Sequence, residues 1–473
     1  MLFVIREIDN EPHGILQIAS VLKEGGHEVR LVVASHQDPV QVAAEWKPQV
    51  VGYSVYTGTQ RWYLETNRRI KSAGGALSVF GGPHPTFFPE IMEEDGVDVV
   101  CVGEGEHATL DLLDALEHGR AITSIPNLWV KADGRVHRNG LRPLIDDLDA
   151  LPTVDRDVLY EAYPLSRDTQ IKPFFAGRGC PYNCSFCFNF AYSQLYENAG
   201  KRVRRRSVGN LIEEIQSVRA ESPLQFVTFM DDTFSLFRGW LEEFADAYSR
   251  EVGLPFWCQV RADLITQDMV DTLKRAGCFS VSLGLETAND HLRNRILKRD
   301  MSKEQIIQAC ELIRGNGIQV MTNNMLGLPT GSLETDWETL ELNVRCRPGY
   351  ANVFLYQPYP KTELGEMALR EGFMEGTFDD LTGSVTDTTI IRFGSEGEKH
   401  RIENLQKLFA LGVEFPFMLP LIRWLIGLPL KSAYWLVYKL WKGYALKRRF
   451  YPHRLSLMGY ARALGQFMSI KTQ

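Results

Sequence analysis

The chain is poor in cysteine, with eight in 473 residues, and three of the eight fall within one short stretch. No second cysteine pair accompanies Cys180, Cys184 and Cys187, and the histidine preceding them is as far back as His137. Structural zinc takes four protein ligands, usually as paired C-x-x-C or Cys/His spacings, so this pattern does not fit it. The other five cysteines (Cys101, Cys258, Cys278, Cys310, Cys346) are scattered singly. They read as small buried hydrophobes of a reducing compartment, not as a disulfide framework. Long apolar runs are also missing. Phe415–Leu430 is apolar but is broken by Pro416, Pro420, Arg423 and Pro429, whereas a spanning helix needs about 20 clean apolar residues. The first strand is not followed by G-x-G-x-x-G, which excludes a dinucleotide site. There is no internal repeat and no low-complexity tract. Met1–Ile5 is too short for a signal peptide and runs into charge, so a cytoplasmic location is expected. No aromatic-interleaved basic groove is present, so nucleic acid is not an expected partner. The basic run Arg202, Arg204–Arg206 reads as a solvated charged face.

Acid is missing from one region. The chain carries a net charge of −7, but residues 405–473 hold 11 Lys and Arg against the single acid Glu414. Such asymmetry points to a terminal segment with a different partner. Ser432–Leu446 adds Tyr434, Trp435, Tyr438, Trp441 and Tyr444 between lysines. That composition suits an interfacial helix on anionic lipid; a helical cap over a catalytic mouth suits it equally. Peripheral membrane contact through 415–450 and an apolar or lipid-like small-molecule substrate would be consistent with each other.

The cysteines lie in Gly177-Arg178-Gly179-Cys180-Pro181-Tyr182-Asn183-Cys184-Ser185-Phe186-Cys187. Iron–sulfur clusters are held by Cys thiolates, and a cubane has four irons. Three ligands therefore leave one iron open to something other than protein.

Around this loop the hydrophobic pattern alternates between strand and helix. In residues 1–145, short apolar strands at Leu2–Arg6, Glu28–Ala34, Val50–Tyr56, Ser78–Phe80 and Val97–Val102 are separated by helical stretches. This predicts a parallel doubly wound sheet whose ligand lies at the strand carboxyl ends. The candidates there are Ser54–Gly58 (with Ser54, Thr57 and Gly58), Gly81–His84, and Gly103–Glu106. Residues 146–169 read as an ordered linker. Residues 170–365 repeat a strand–helix unit, giving six strands from Ile171–Ala176 to Ala351–Gln357. Parallel barrels place chemistry at strand carboxyl ends, where Asp231, Arg261, Glu286, Gly327 and Pro329 fall. Residues 366–473 read as a helical, basic and aromatic-rich C-terminal region.

The cysteine triad resembles the signature of the radical S-adenosylmethionine superfamily, and Phe186 fits the aromatic that commonly precedes its third cysteine. The N-terminal pieces Pro12-His13-Gly14-Ile15-Leu16, Gly25-Gly26-His27-Glu28-Val29, Gly81-Gly82-Pro83-His84-Pro85-Thr86 and Gly103-Glu104-Gly105-Glu106 resemble the cobalamin-binding domain fused to many members. The resemblance covers about residues 1–365 and implies an α/β fold: a Rossmann-like cobalamin domain, then a partial (β/α)6 barrel. It implies a [4Fe-4S] cluster on Cys180, Cys184 and Cys187. Phe186, Asp231, Arg261, Ser282, Glu286, Gly327 and Pro329 would then bind S-adenosylmethionine. Cobalamin would lie against His13, Gly14, Ser54, Thr57, Gly58, Gly81, Gly82, Pro83, His84, Gly103, Glu104 and Gly105. The D-x-H-x-x-G pattern of cobalamin mutases is broken here, because Asp9 and His13 are four apart and Gly14 directly follows the histidine. The resemblance thus implies cobalamin with no histidine beneath the metal. It also implies a low-potential electron donor such as flavodoxin or ferredoxin. The expected activity is methylation of an unactivated carbon. Oxidative cyclisation, as in the anaerobic magnesium-protoporphyrin monomethyl ester cyclases, is the alternative, and a non-catalytic cobalamin or redox sensor is a third.

Overall fold

The computed structural model describes residues 1–8, 10–381 and 384–451. Asp9 and the C-terminal stretch from Pro452 lie outside the described residues. The chain forms two compact units. The first comprises Met1–Thr169 with Tyr196–Arg206 and Ser217–Pro223; the second comprises Gln170–Leu195, Ser207–Gln216 and the chain from Leu224 on.

In the first unit, β1 (Leu2–Ile5), β2 (Arg30–Val33), β3 (Val50–Ser54), β4 (Leu77–Gly81) and β5 (Val99–Cys101) pair in the order β2-β1-β3-β4-β5, all parallel. Alternation within β1 explains why both faces are covered. Met1, Phe3 and Ile5 enter one core with Leu16, Leu22, Ala108 and Leu112, while Leu2 and Val4 enter the opposite core with Ala43, Leu64 and Ile70. Side chains of successive strand residues point to opposite faces, so a strand apolar throughout demands helices on both sides.

The sheet does not stop at β5. Strands β6 (Leu128–Ala132) and β7 (Arg135–Arg138) extend it in antiparallel fashion, a hairpin beyond the five parallel strands read from the sequence. The Asp133-Gly134 turn joining them has both residues in the left-handed region, at φ 53 and 72. That is the geometry two-residue hairpins favour. Residues 146–169, read above as a linker, carry helices Asp157–Ala162 and Pro164–Arg167. Val158, Leu159 and Tyr160 are buried in the first core, and Arg156 is ion-paired to Glu11 at 3.0 Å with both side chains buried.

The basic run is not a solvated face. Arg204 is buried, donating to Glu104 Oε1 at 2.7 Å and to the Ile145 carbonyl at 2.9 Å. The other carboxylate oxygen of Glu104 accepts from the Ile145 N–H.

The second unit is a six-stranded parallel sheet in simple sequential order: Ile171–Phe174, Phe226–Phe229, Phe256–Val260, Cys278–Glu286, Gln319–Leu326 and Tyr350–Leu355. Two of the helices between them, Gln267–Ala276 and Leu333–Cys346, have the bounds their periodicity predicts, and Val208–Glu221, Arg238–Glu251 and Lys303–Gly315 differ from theirs by one residue at one or both ends. Several are capped by their own sequence. Ser302 and Ser332 each close a capping box, and Gly277 ends its helix at φ 92. A cluster of rings (Phe229, Phe234, Phe244, Tyr248, Phe256) fills one side of the second and third strands. The C-terminal helix Glu396–Glu414 packs along the last strand: Ile402, Leu405 and Phe409 join Ala351, Val353 and Leu355 in one core. Two cysteine pairs, distant in sequence, become neighbours in this unit, Cys258 with Cys278 and Cys310 with Cys346, and all four are buried and free of disulfides.

Removing one partner of a buried ion pair strands the other charge, which costs about 3–5 kcal/mol. Arg204→Ala is therefore expected to destabilise the first unit by roughly that amount in urea unfolding. A loss below about 1 kcal/mol, the level of an exposed pair, would show that Glu104 regains solvent without its partner.

Candidate functional site

In the second unit the cysteine loop leaves the carboxyl end of the first strand. Its backbone is held by neighbours on three sides. The Asp231 carboxylate accepts the Ala176 N–H at 3.0 Å. Ser185 Oγ donates to the Ile296 carbonyl and Ser185 N–H to the Leu297 carbonyl, at 2.5 and 3.2 Å. The Leu364 N–H closes on the Ser185 carbonyl at 2.9 Å. Residues Leu292–Ile296 form a π-helical turn, a widened geometry often found at functional sites. Phe186 packs into the apolar cluster around Leu292, Leu297 and Met325, so its ring anchors the loop between the second and third cysteines.

Two guanidinium groups converge on the middle cysteine. Arg261 Nη1 and Arg299 Nη1 each lie 3.8 Å from Cys184 Sγ. Arg261 is held in place by a two-point bond to Asp263, at 3.0 and 3.1 Å, and lies over the Tyr182 ring at 3.4 Å. Arg299 donates to the Gly284 carbonyl at 2.7 Å and approaches Glu286 Oε1 at 3.8 Å. Its neighbours Lys298 and Asp300 both adopt left-handed backbone, at φ 55 and 52, which turns the chain enough to send Arg299 inward. Sequence reasoning had identified Arg261 but not Arg299. Its only local signal is a charged loop ahead of the Ser302 cap.

This donor set fits an iron–sulfur cluster. All three thiols belong to one loop and none is in a disulfide. Burial pushes Cys180 up and Cys187 up to about 11. Ligation therefore has to displace protons, and the two fixed cations beside Cys184 favour the negative charge that results.

The remaining strand-end residues divide into those that face this loop and those that support it. Glu286 ends the fourth strand at φ 66, where the register with the fifth strand shifts. Its carboxyl is buried, and burial holds it above the usual range against the pull of Arg299 and Arg261. Gly284 makes this possible, since a Cβ there would sit 2.4 Å from Glu286 Oε1 and 2.8 Å from Arg299 Nη2. Asp231 is buried and supports the loop. Its neighbour Asp232 is exposed and lies near enough to Cys180 and Cys187 for its charge to act on both thiols. Ser282 Oγ accepts from Asn323, whose own carbonyl accepts from Asn352 at 3.2 Å, giving a polar line across three strands. Gly327 sits at φ 70 with its N–H on buried Asp336 at 3.0 Å, and Pro329 is buried just beyond.

In the first unit the glycine loops at the ends of β3, β4 and β5 are tied together. His84 N–H donates to the Val55 carbonyl, and Thr57 Oγ1 lies 3.2 Å from His84 Nδ1. Thr86 Oγ1 bonds the Gly82 carbonyl and accepts the Gly103 N–H. Gly58, Gly82 and Gly103 have φ of 93, 94 and 84. At Gly82 a Cβ would lie 2.8 Å from Val55 N, so no other residue fits. Pro83 starts the short helix that follows. At Gly103 a Cβ would lie 1.8 Å from the Tyr196 hydroxyl, so the glycines bring the three loops close together at the carboxyl ends of the parallel strands, the place where such sheets take their ligands. Gly81 and Gly105 pack on Cys101, and Gly14 borders open space. His13 sits at a helix start with Nε2 3.7 Å from Glu11. Glu104 is engaged by Arg204 and by the Ile145 N–H. Tyr196, which sequence reasoning missed, receives the Glu104 N–H at 3.1 Å.

These two constellations define a protein that joins a cobalamin-type sheet domain to a cluster-bearing α/β unit. The family model of the Radical SAM superfamily matches residues 175–342, and that of the B12 binding domain matches residues 4–113. The chain belongs to the B12-binding radical S-adenosylmethionine enzymes, whose cofactors are a [4Fe-4S] cluster, S-adenosylmethionine and cobalamin. An uncharacterized methyltransferase of Pyrococcus horikoshii is 27% identical over 372 residues, covering 77% of this chain and 79% of that one. The anaerobic magnesium-protoporphyrin IX monomethyl ester cyclase of Rubrivivax gelatinosus is 28% identical over 373 residues, covering 75% and 65%. The solved structure of the cobalamin-dependent S-adenosylmethionine radical enzyme OxsB is similar in fold, with a TM-score of 0.68 over 98% of this chain and 75% of that one, at 16% identity.

Two outcomes are expected at this site. Removing a cation beside a cluster sulfur makes the cluster harder to reduce, because net charge and contacts to sulfur set its potential. Arg299→Gln should lower the midpoint by an amount on the order of tens of millivolts in an EPR-monitored titration; an unchanged midpoint would dissociate Arg299 from the cluster. Burial also raises the Asp336 carboxyl well above its usual range. The folded state therefore favours its protonated form. That contribution is full below the unfolded carboxyl pKa and is lost as pH rises through the folded one. Asp336→Asn keeps an acceptor for Gly327 and removes the titration. Its Tm advantage over the parent should widen from about pH 5 to pH 8, and a constant difference would count against a raised carboxyl.

Proposed function

We propose that this protein transfers a methyl group to an unactivated carbon of a small, apolar substrate. The observation that carries the reading is the pairing of a three-thiol loop, flanked by Arg261 and Arg299, with a glycine-lined strand-end cradle in the first unit. When bound, the cofactors supply a transferable methyl group and a hydrogen-abstracting radical. The chain's own residues do the positioning. Asp232, exposed beside Cys180 and Cys187, receives the methionyl ammonium in this reading, while Asp231 fixes the loop. Arg261 faces the methionyl carboxylate, a match for a guanidinium fork. Glu286 and the Ser282–Asn323 line offer hydrogen bonds for the ribose, and Gly327–Pro329 backs the adenine. In the first unit the backbone around Gly58, Gly82 and Gly103 receives cobalamin, with His84 and Thr57 fixing those loops. A low-potential donor such as flavodoxin or ferredoxin supplies the electron. The apolar substrate class is supported by the aromatic-rich C-terminal helices.

The Pyrococcus relative carries a methyltransferase name, which supports methyl transfer. The cyclase relative, equally similar, favours a second reading, oxidative cyclisation without methylation. Anaerobic turnover of the reconstituted protein with methyl-labelled S-adenosylmethionine separates them. Candidate lipids, tetrapyrroles and natural-product scaffolds serve as substrates, and mass spectrometry reads the product. A labelled product heavier by one methylene is expected. An unlabelled product of altered hydrogen or oxygen content would replace this reading with the second. Absence of 5′-deoxyadenosine after reduction would turn it toward a sensor.

A further inference from the structure

We infer that the C-terminal helices form a docking surface for an anionic lipid bilayer. Of the thirteen large hydrophobic side chains exposed among the described residues, eight lie between Phe417 and Tyr444. They are not scattered. At 100° per residue, Ala433, Leu436, Val437, Leu440 and Tyr444 fall on one face of the helix Lys431–Ala445, and all five are exposed. Its opposite face is spoken for, since Tyr434, Tyr438 and Ala445 are buried and Tyr434 donates to the Leu425 carbonyl at 2.7 Å. The preceding turns add Phe417 and Trp424, 80% and 63% exposed. A run of ring contacts, Phe417–Phe415–Trp441–Tyr444, joins the two patches at centroid separations of 5.5–6.0 Å. The result is a continuous apolar face three helical turns long with no charged side chain on the stripe.

Charge selects the occupant. From Phe415 to Gln473 there is no acid and there are ten Lys and Arg, while the whole chain is net negative. Arg423, Lys431 and Arg449 are paired with acids of the same unit, and Lys439 is buried over Trp435. Lys442 donates to Tyr438 Oη on the inner side of the helix at 3.0 Å and the Lys447 ammonium is buried, which leaves Arg448 exposed beyond the end of the stripe, followed in the sequence by Arg454, Arg462 and Lys471. A second copy meeting this face about a two-fold axis would set cations against cations. An anionic bilayer accepts both components: the aromatic and aliphatic face enters the headgroup boundary and the cations meet lipid phosphate. No described helix is long and apolar enough to cross a membrane, so the contact is peripheral.

The test is flotation of the full-length, cluster-loaded protein with vesicles of phosphatidylcholine and phosphatidylglycerol in equal parts, against phosphatidylcholine alone. Partition onto the anionic vesicles should exceed the neutral ones by about tenfold or more and fall with salt. Trp424→Ser with Leu440→Ser should reduce it at least about tenfold, with the thermal melt and cluster absorbance unchanged. Leu436→Ser with Val437→Ser reads the same face and should give the same loss. Arg448→Gln should weaken anionic binding alone. Equal binding to both vesicles, binding insensitive to both serine pairs, or a solution oligomer that the serine pairs dissociate would each overturn the proposal.

Discussion

The second unit is organised around two guanidinium groups set against one sulfur. Arg261 and Arg299 reach Cys184 from the ends of different elements, and each has its own restraint: Asp263 and Tyr182 for the first, the Gly284 carbonyl for the second. Two buried cations favour negative charge on the sulfur between them, and Cys180 and Cys187, both raised by burial, have no reason to ionise unless a metal draws the protons off. Glu286, Gly284 and the widened turn at Leu292–Ile296 make sense as the scaffolding that brings these groups to one place.

The first unit meets a different demand with backbone rather than charge. Its three strand-end loops are linked through Val55, His84, Thr86 and Gly103, and glycines at Gly82 and Gly103 let Val55 and Tyr196 pack directly on the main chain. Tyr196 and the Glu104–Arg204 pair then lock the outer side of the last loop. Glu104 is thus committed to the fold, while Gly82 and Gly103 contribute shape.

Much of this was legible in the sequence. Helices such as Gln267–Ala276 and Leu333–Cys346, and the strand Phe256–Val260, could be read from periodicity to the residue, because their caps and apolar faces agree. The Asp133-Gly134 hairpin carried a recognisable turn signal that was passed over, as did the Asp38-Pro39 start of the helix Pro39–Trp46. Other features had no local signal. Arg204 looks like any residue in a basic run until Glu104, a hundred positions away, removes it from solvent. Asp231 and Asp232 are adjacent and chemically alike, and only the path of the loop after the strand Phe226–Phe229 sends one inward to Ala176 and leaves the other exposed. Cys258 and Cys278, or Cys310 and Cys346, are single cysteines in sequence and neighbours only once the elements pack.

The sequence by itself determined the inventory: three thiolates where four would close a site, glycines at strand ends, and a C-terminal stretch with cations and no acid. Such statements depend on residue type and spacing, which are local. The tertiary structure alone decided which charges meet, namely that Arg299 joins Arg261 at Cys184, and that Leu436, Val437, Leu440 and Tyr444 are exposed among the described residues. Electrostatic contact and burial depend on distances between segments remote along the chain, and those distances exist only after packing.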